Sequence, residues 1–265
     1  MNKQAHALIT GASSGIGMAI AREYARRGKP TVLIARRQDR LQQLSAELSQ
    51  SAPSIYYVAD LSKSNAAAEI HAYLQKQPIH IDTLVNNAGY GVPGRYLSSD
   101  WQTHSDFIEV LLRSVCELTH RFLPAMEAQG HGRILNIASL AGLTPASAGH
   151  TLYGASKAFL IRFSESLALE VASKGIHVTA LCPGFTYSEF HDVNGMRARV
   201  SALPKMLWLS SEDVAKMAVD AVESGRHRLI TGKINRLIAF IAKYLPDNLA
   251  RALVASKAKN FRDQN

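Results

Sequence analysis

Apolar and polar positions alternate along this chain with two different periods. Short, nearly continuous apolar runs occur at Ala5 to Thr10, Thr31 to Ala35, Ser54 to Val58, Thr83 to Asn86, Arg133 to Ala138, Val178 to Cys182 and Arg228 to Thr231. Runs of that length and make-up read as strands covered on both faces. Between them the apolar residues recur at helical spacing, which predicts helices over Ile16 to Arg27, Arg37 to Gln50, Ser64 to Gln77, Thr103 to Ala128, Tyr153 to Lys174 and Ser211 to Ser224. The strand-helix-strand succession predicts an α/β fold: a single doubly wound parallel sheet of seven strands with helices on both faces. Right-handed crossovers then put the ligand site beyond the carboxyl ends of the strands.

After the last strand, Ile234, Leu237, Ile238, Ile241, Ala242 and Leu245 recur at helical spacing, with Lys233, Arg236 and Lys243 elsewhere around the turn. Pro246 stops that helix, and Leu249, Leu253 and Val254 predict another amphipathic piece. The expected organisation is one domain over residues 1–232, including a substrate lid at 188–210, and a basic helical extension over 233–265.

Composition narrows the class. Of 265 residues, 47% are hydrophobic and 19% charged, which suits a folded domain with ample core material and not a disordered chain. The two cysteines, Cys116 and Cys182, lie in apolar contexts and the start of the chain lacks a long apolar leader, so a cytoplasmic, reducing setting is expected. The longest apolar runs, such as Leu237 to Ala242, fall far short of the roughly 20 residues that cross a bilayer. Ten histidines are scattered without ligand spacing, so no metal is expected.

The formal charge of +9 is concentrated late: from Gly225 onward there are nine Lys or Arg against two Asp. A basic amphipathic tail packs on its own domain or a sister subunit, or lies on an anionic membrane surface. No nucleic-acid-binding signature accompanies the charge, and no nucleic acid partner is expected.

The chemistry sits after the strands. Thr10-Gly11-Ala12-Ser13-Ser14-Gly15-Ile16-Gly17 joins the first strand to the first helix. Such a turn lets the backbone approach a pyrophosphate and leaves helix N-terminal amides facing it. Gly11, Ser13, Ser14, Gly15, Ile16 and Gly17 are the candidate contacts, and a dinucleotide is the expected ligand. After the second strand, Arg36 and Arg37 stand where many NAD-binding folds carry an acid for the ribose hydroxyls. Two guanidiniums there clamp a 2′-phosphate, which favours NADP(H) over NAD(H).

Asp60-Leu61 follows the third strand, with an acid suited to an adenine amino group. Asn86-Asn87-Ala88-Gly89 follows the fourth, with Asn87, Ala88 and Gly89 small enough for close approach to a ligand. Ser139 follows the fifth, and Tyr153 and Lys157 lie four apart on one helix face just beyond it. An ammonium beside a phenol favours phenolate, so the Tyr153 pKa is expected to move down from about 10 and serve acid-base chemistry, with Ser139 bonding a substrate carbonyl.

These motifs, in this order and with Pro183-Gly184 after the sixth strand, resemble the short-chain dehydrogenase/reductase family over about Ala5 to Gly232. The resemblance implies a Rossmann-type domain, Tyr153 as proton donor in reduction, Lys157 on the nicotinamide ribose and Ser139 orienting the carbonyl. It further implies that Pro183, Gly184, Thr186 and Ser188 form the nicotinamide-binding turn, that the enzyme oxidises alcohols or reduces carbonyls, and that it assembles as a homodimer or homotetramer. Two departures are visible. Leu111 stands where the family usually has an Asn that helps hold a relay water, which shifts that task to Ser114 or to backbone carbonyls. The Ser139 to Tyr153 interval is one residue longer than usual, predicting an insertion around Pro145 to Gly149.

The lid residues Phe190, Val193, Met196, Val200, Leu203, Met206, Leu207 and Trp208, with Tyr90, Val92 and Leu143, predict an apolar pocket for a small carbonyl or alcohol. Packing of those residues onto the sheet is the plain alternative. Because of Leu111, an NADP(H)-binding sensor or scaffold with feeble turnover stands beside the enzyme as an alternative function, and a membrane- or partner-binding module using the tail is a third.

Overall fold

The structure, a computed structural model, describes residues 4–189, 204–246 and 249. Its strands are β1 (Gln4–Thr10), β2 (Thr31–Ala35), β3 (Ser54–Val58), β4 (Ile79–Asn86), β5 (Gly132–Ile137), β6 (Ile176–Cys182), β7 (Phe185–Tyr187), β8 (Trp208–Ser210) and β9 (Arg228–Ile230). Seven of them make one parallel sheet in the order β3-β2-β1-β4-β5-β6-β9, as the strand-helix alternation predicts. β7 and β8 pair separately from the central sheet.

The helices are α1 (Gly15–Arg26), α2 (Gln38–Leu48), α3 (Ala66–Gln75), α4 (Trp101–Ile108), α5 (Ser114–Gln129), α6 (Thr151–Val171), α7 (Ser211–Glu223) and α8 (Lys233–Tyr244). Successive strand residues feed opposite layers. Ile9, Leu33, Val85 and Leu135 pack with Ile20, Leu41 and Val219 of α1, α2 and α7. Their neighbours Leu8, Val32, Leu84 and Ile134 pack with Ile70, Phe107, Leu118 and Leu167 of α3, α4, α5 and α6. That double burial explains why these strands read as unbroken apolar runs rather than as alternating ones.

The helix predicted over Thr103 to Ala128 differs in two respects. It starts at Trp101 because the Asp100 carboxylate accepts the Thr103 amide at 2.8 Å and caps the first turn. It is also interrupted by a π-turn, Glu109–Arg113, which inserts between α4 and α5 and carries the buried Leu111. A single widened turn leaves the surrounding helical spacing almost unchanged, so the apolar pattern does not reveal it.

The direction in which successive strands are added to the sheet reverses between the parallel neighbours β1 and β4, and the carboxyl ends of those strands open onto a crevice. The loops after β1, β2, β3, β4, β5 and β6 all reach it. The lid positions Phe190, Val193, Met196, Val200 and Leu203, and Leu253 and Val254 of the tail, lie outside the described residues.

Candidate active site

The first wall of the crevice is the β1–α1 turn. Gly15 adopts φ +54°, a left-handed conformation that favours glycine, and Gly17 lies so close to Asn87 and the Gly11 carbonyl that any Cβ would collide with both. Ser14 is the N-cap of α1 yet makes no side-chain cap bond to the helix, and no acid lies in the first turn, so the leading amides stay open toward the crevice.

The turn is held from behind by Thr10. Its hydroxyl donates to the Val85 carbonyl at 3.2 Å and accepts the amides of Asn87 and Ala88 at 2.9 and 3.1 Å. The Asn87 amide group donates to the Thr10 carbonyl at 2.9 Å. A parallel bridge runs underneath, where Asn86 donates to Asn136 at 2.8 Å and Asn136 donates to Ser164 of α6 at 2.9 Å. The strand ends are thereby locked together by side-chain hydrogen bonds to backbone and to one another.

Arg37 forms the second wall. It is the N-cap residue of α2, a position where a cation opposes the helix dipole. Its guanidinium is committed elsewhere: it donates to Ser13 Oγ at 3.1 and 2.9 Å, to Ser14 Oγ at 2.8 Å and to Glu189 at 2.9 Å. Glu189 also accepts from Arg40 at 2.6 Å. The two arginines hold the Glu189 carboxyl below the usual carboxylate range. Neither Glu189 nor Arg40 was among the sequence candidates; Arg37 and Glu189 are 152 positions apart, and no local pattern announces such a pair. Arg36 is exposed and lines the same cleft.

The third wall carries Ser139, Tyr153 and Lys157. Ser139 caps the short turn Leu140–Gly142, accepting the Ala141 amide at 3.1 Å, and its side chain also hydrogen-bonds Tyr153. Lys157 is buried beneath them; its Nζ donates to the Ile137 carbonyl at 2.7 Å and lies 5.7 Å from the centre of the Tyr153 ring. The expectation of a depressed phenol pKa is corrected here. Burial pushes Tyr153 up from its ordinary value, and the bond from Ser139 only partly opposes it. Burial also draws the Lys157 ammonium down to about 8, with the Cys182 thiol beside it working the other way. Desolvation therefore outweighs the charge effect that spacing alone predicts.

The three walls enclose one cleft of about 1390 Å³. It is lined by Gly11, Ser13, Ser14, Gly15 and Ile16, by Arg36 and Arg37, by Asp60 and Leu61, and by Asn87, Ala88 and Gly89. Ser139, Tyr153 and Lys157 line it as well, followed by Pro183, Gly184, Thr186 and Ser188. Of the catalytic and cofactor-binding candidates only Gly17 stays behind the wall, where its role is close packing. The volume exceeds the roughly 300–1,000 Å³ of an ordinary small-molecule pocket and gives room for a dinucleotide with a second, smaller ligand.

The predicted pocket lining is corrected in part. Tyr90 lines the cleft, but Leu143 packs into the core around Val115 and Ala138, and Val92 lies at a separate small hollow. Trp208 is buried against Phe185 and stacks on Tyr187, with Leu207 packed beside it, so these two lid residues serve packing; Met206 is exposed. Apolar lining comes instead from Val110, Leu140, Pro145, Phe185 and Ile238. Around the expected insertion, Gly149 takes φ +86° and its carbonyl accepts the Gly94 amide at 3.2 Å. Ser114 does not line the cleft, and its hydroxyl donates to the Val110 carbonyl at 2.7 Å. Among the described residues no group of three or more His, Cys, Asp or Glu is placed to hold a metal.

Comparison with known proteins gives consistent results. The family model for short chain dehydrogenase matches residues 5–196. Nodulation protein G of Rhizobium sp. (strain N33) is 36% identical over 233 residues, covering 86% of this chain and 92% of that protein. The NADP-dependent 3-hydroxy acid dehydrogenase YdfG of Escherichia coli (strain K12) is 37% identical over 193 residues, covering 70% of this chain and 75% of that protein. Among solved structures, a short-chain dehydrogenase from Sphingobium yanoikuyae in complex with NADPH superposes with a TM-score of 0.76 at 29% identity, covering 99% of this chain and 96% of that one.

Proposed function

This chain belongs to the short-chain dehydrogenase family, an oxidoreductase of CH–OH groups, and from that premise we propose that it exchanges hydride between NADP(H) and an apolar small-molecule carbonyl or alcohol. Tyr153 is the general acid in reduction and the general base in oxidation. The observation that carries this reading is the joining of two sites in one cleft. At one end lie an open helix N-terminus and a guanidinium fixed above it; at the other lie a phenol hydrogen-bonded to a hydroxyl and an ammonium 5.7 Å from the centre of the phenol ring.

The residues present fit a phosphorylated dinucleotide. The uncapped amides of α1 and the Gly11–Gly15 backbone would hold its pyrophosphate, Arg36 and Arg37 a 2′-phosphate, and Asp60 an adenine amino group. Asp60 already accepts the Ser62 amide at 3.1 Å through one carboxylate oxygen, which leaves the other for a ligand. Lys157 would hold the nicotinamide ribose, and Thr186 and Ser188 the carboxamide end. The bound cofactor supplies or accepts the hydride.

This chain's own residues handle orientation and the proton. Ser139 bonds the substrate oxygen beside Tyr153, and the phenol O–H gives its proton to that oxygen as negative charge develops on it. Because burial holds the phenol above its ordinary pKa in the free protein, Tyr153 stays protonated at neutral pH, the form reduction needs. Lys157 keeps a positive charge under the ring that stabilises the phenolate left behind. Leu111 is buried behind Gly89, outside the cleft lining, and Ser114 donates to Val110, so neither offers an anchor for a relay water, and the phenol regains its proton from the Lys157 side of the cleft, where the ammonium is recharged by water.

A sign follows for pH. Lys157 loses its charge as pH rises through about 8, whereas Tyr153 titrates higher. The expected kcat/KM for carbonyl reduction is flat through neutrality and falls on the alkaline side from about pH 8. A profile rising from pH 7 to 9 would contradict this assignment of the two protons.

Glu189 gives a second expectation. Its carboxylate neutralises Arg37 and Arg40 at the rim where a 2′-phosphate would be read, so cofactor and carboxylate compete for one guanidinium. The side chains are roughly 40% exposed, and such pairs are worth about 0.2–1 kcal/mol. Glu189→Gln is therefore expected to tighten NADPH binding by about twofold to fivefold and to leave NADH binding as it was, as measured by quenching of protein fluorescence. The reading as a whole is tested by following loss of reduced-nicotinamide absorbance with NADPH over a panel of apolar ketones and aldehydes. Absence of turnover with NADPH bound would favour the sensor reading.

A further inference from the structure

An ordinary surface helix buries its large apolar residues and shows its polar ones to water. α8 is turned the other way. The residues it buries are Asn235 and Ala239, with Ile234 and Ala242 half-buried, while Leu237, Phe240, Ile241 and Tyr244 are each 50% or more exposed. Asn235 fixes this orientation: it is buried, donates to the Thr231 carbonyl at 2.8 Å and packs onto Gly184, where a Cβ would stand only 2.6 Å from its Oδ1. The helix is thereby seated on the turn at the nicotinamide end of the cleft, and Ile238, on the edge of its outward face, lines the cleft itself.

We propose that the outward face of α8 docks this protein on an anionic lipid surface, and that the cleft opens beside that surface. The occupant follows from charge and shape. Leu237, Phe240, Ile241 and Tyr244 make one apolar stripe; Arg236 and Lys243 flank it and Lys233 stands at its start, and the helix holds no acid. Lys243 reaches across the Tyr244 ring, its Nζ 5.3 Å from the ring centre, so an apolar body and a cationic tip lie side by side, the arrangement that suits a headgroup boundary. The chain beyond adds Arg251, Lys257, Lys259 and Arg262 against Asp247 and Asp263. A second copy is the poorer fit, because a two-fold interface through this stripe lays the same acid-free basic helix against itself. A lipid surface with negative headgroups satisfies both the stripe and its flank.

Docking stands on α8 alone; delivery of an apolar substrate from the bilayer into the adjoining cleft rests on the oxidoreductase reading above. The test is co-sedimentation of the full-length protein with vesicles of phosphatidylglycerol and phosphatidylcholine, against vesicles of phosphatidylcholine only. The expected result is recovery with the anionic vesicles, loss of recovery in high salt, and at least a tenfold drop in the bound fraction for Leu237→Glu with Ile241→Glu and for Arg236→Gln with Lys243→Gln. NADPH titration of each variant reports whether its fold is intact, and the charge-neutral pair keeps the test decisive if the first pair does not fold. No recovery of the native protein with anionic vesicles overturns the proposal. So does a concentration-dependent dimer in vesicle-free solution that Leu237→Glu with Ile241→Glu abolishes, since a second copy would then cover the stripe. Failure of NADPH turnover would strike the reductase reading and leave the sedimentation result standing.

Discussion

Replacing Tyr153 with Phe is expected to lower kcat/KM for carbonyl reduction by about 10²- to 10⁴-fold, the usual share of a positioned general acid, while NADPH binds with an unchanged Kd. The substitution removes one oxygen. The ring keeps its place on α6, Lys157 keeps its bond to the Ile137 carbonyl, and the β1–α1 turn and Arg37 are untouched. Ser139 loses its phenol partner but retains the Ala141 amide, so the turn it caps should hold. A loss of turnover without a loss of cofactor affinity thus separates the proton from every other duty of the cleft. If Tyr153→Phe reduced carbonyls as fast as the native protein, another group would be the acid; if its Kd for NADPH rose in step with the lost rate, the phenol would be holding cofactor instead. The same measurement separates an enzyme from a sensor, which has no rate to lose.

Much of this architecture is readable from residues because burial leaves a mark on sequence. Leu8 and Ile9, or Leu84 and Val85, face opposite layers, so each strand is apolar throughout and the seven runs stand out from the helices between them. The crevice loops are readable for a similar reason: small residues at Gly11, Gly15, Gly17, Ala88 and Gly89 mark places where backbone must come close to something. What sequence does not carry is depth and direction. The spacing of Tyr153 and Lys157 puts an ammonium near a phenol, but whether charge or desolvation governs the phenol depends on how far both are sunk, and burial wins.

The spacing in α8 likewise gives an amphipathic helix without saying which side is inside. The tight seat of Asn235 on Gly184 decides it, and turns the apolar stripe outward. The π-turn at Glu109–Arg113 and the link from Glu189 to Arg37 are invisible for the complementary reasons, one too local and the other too distant.

Replacing Arg37 with Ala is expected to raise the Kd for NADPH by about 10- to 100-fold and to leave that for NADH within a factor of about two, a ratio that follows from which anion the guanidinium meets. A hydrogen bond to a charged group is worth about 1.5–3 kcal/mol, and each 1.4 kcal/mol is about tenfold in affinity. Arg37 is well prepared for such bonds. Ser13 and Ser14 hold its fork at 2.8 to 3.1 Å, so little side-chain freedom remains to be lost when an anion binds.

Stability should change little, because its ion pair with Glu189 is half exposed and such pairs contribute little to folding. Glu189 stays behind on Arg40, which leaves a carboxylate at the rim with one cation fewer, a setting that repels a 2′-phosphate and tolerates ribose hydroxyls. Equal weakening of both cofactors would mean that Arg37 braces the glycine turn through its serines and reads no 2′-phosphate; Arg36, exposed on the same cleft, would then be the residue that tells the two apart.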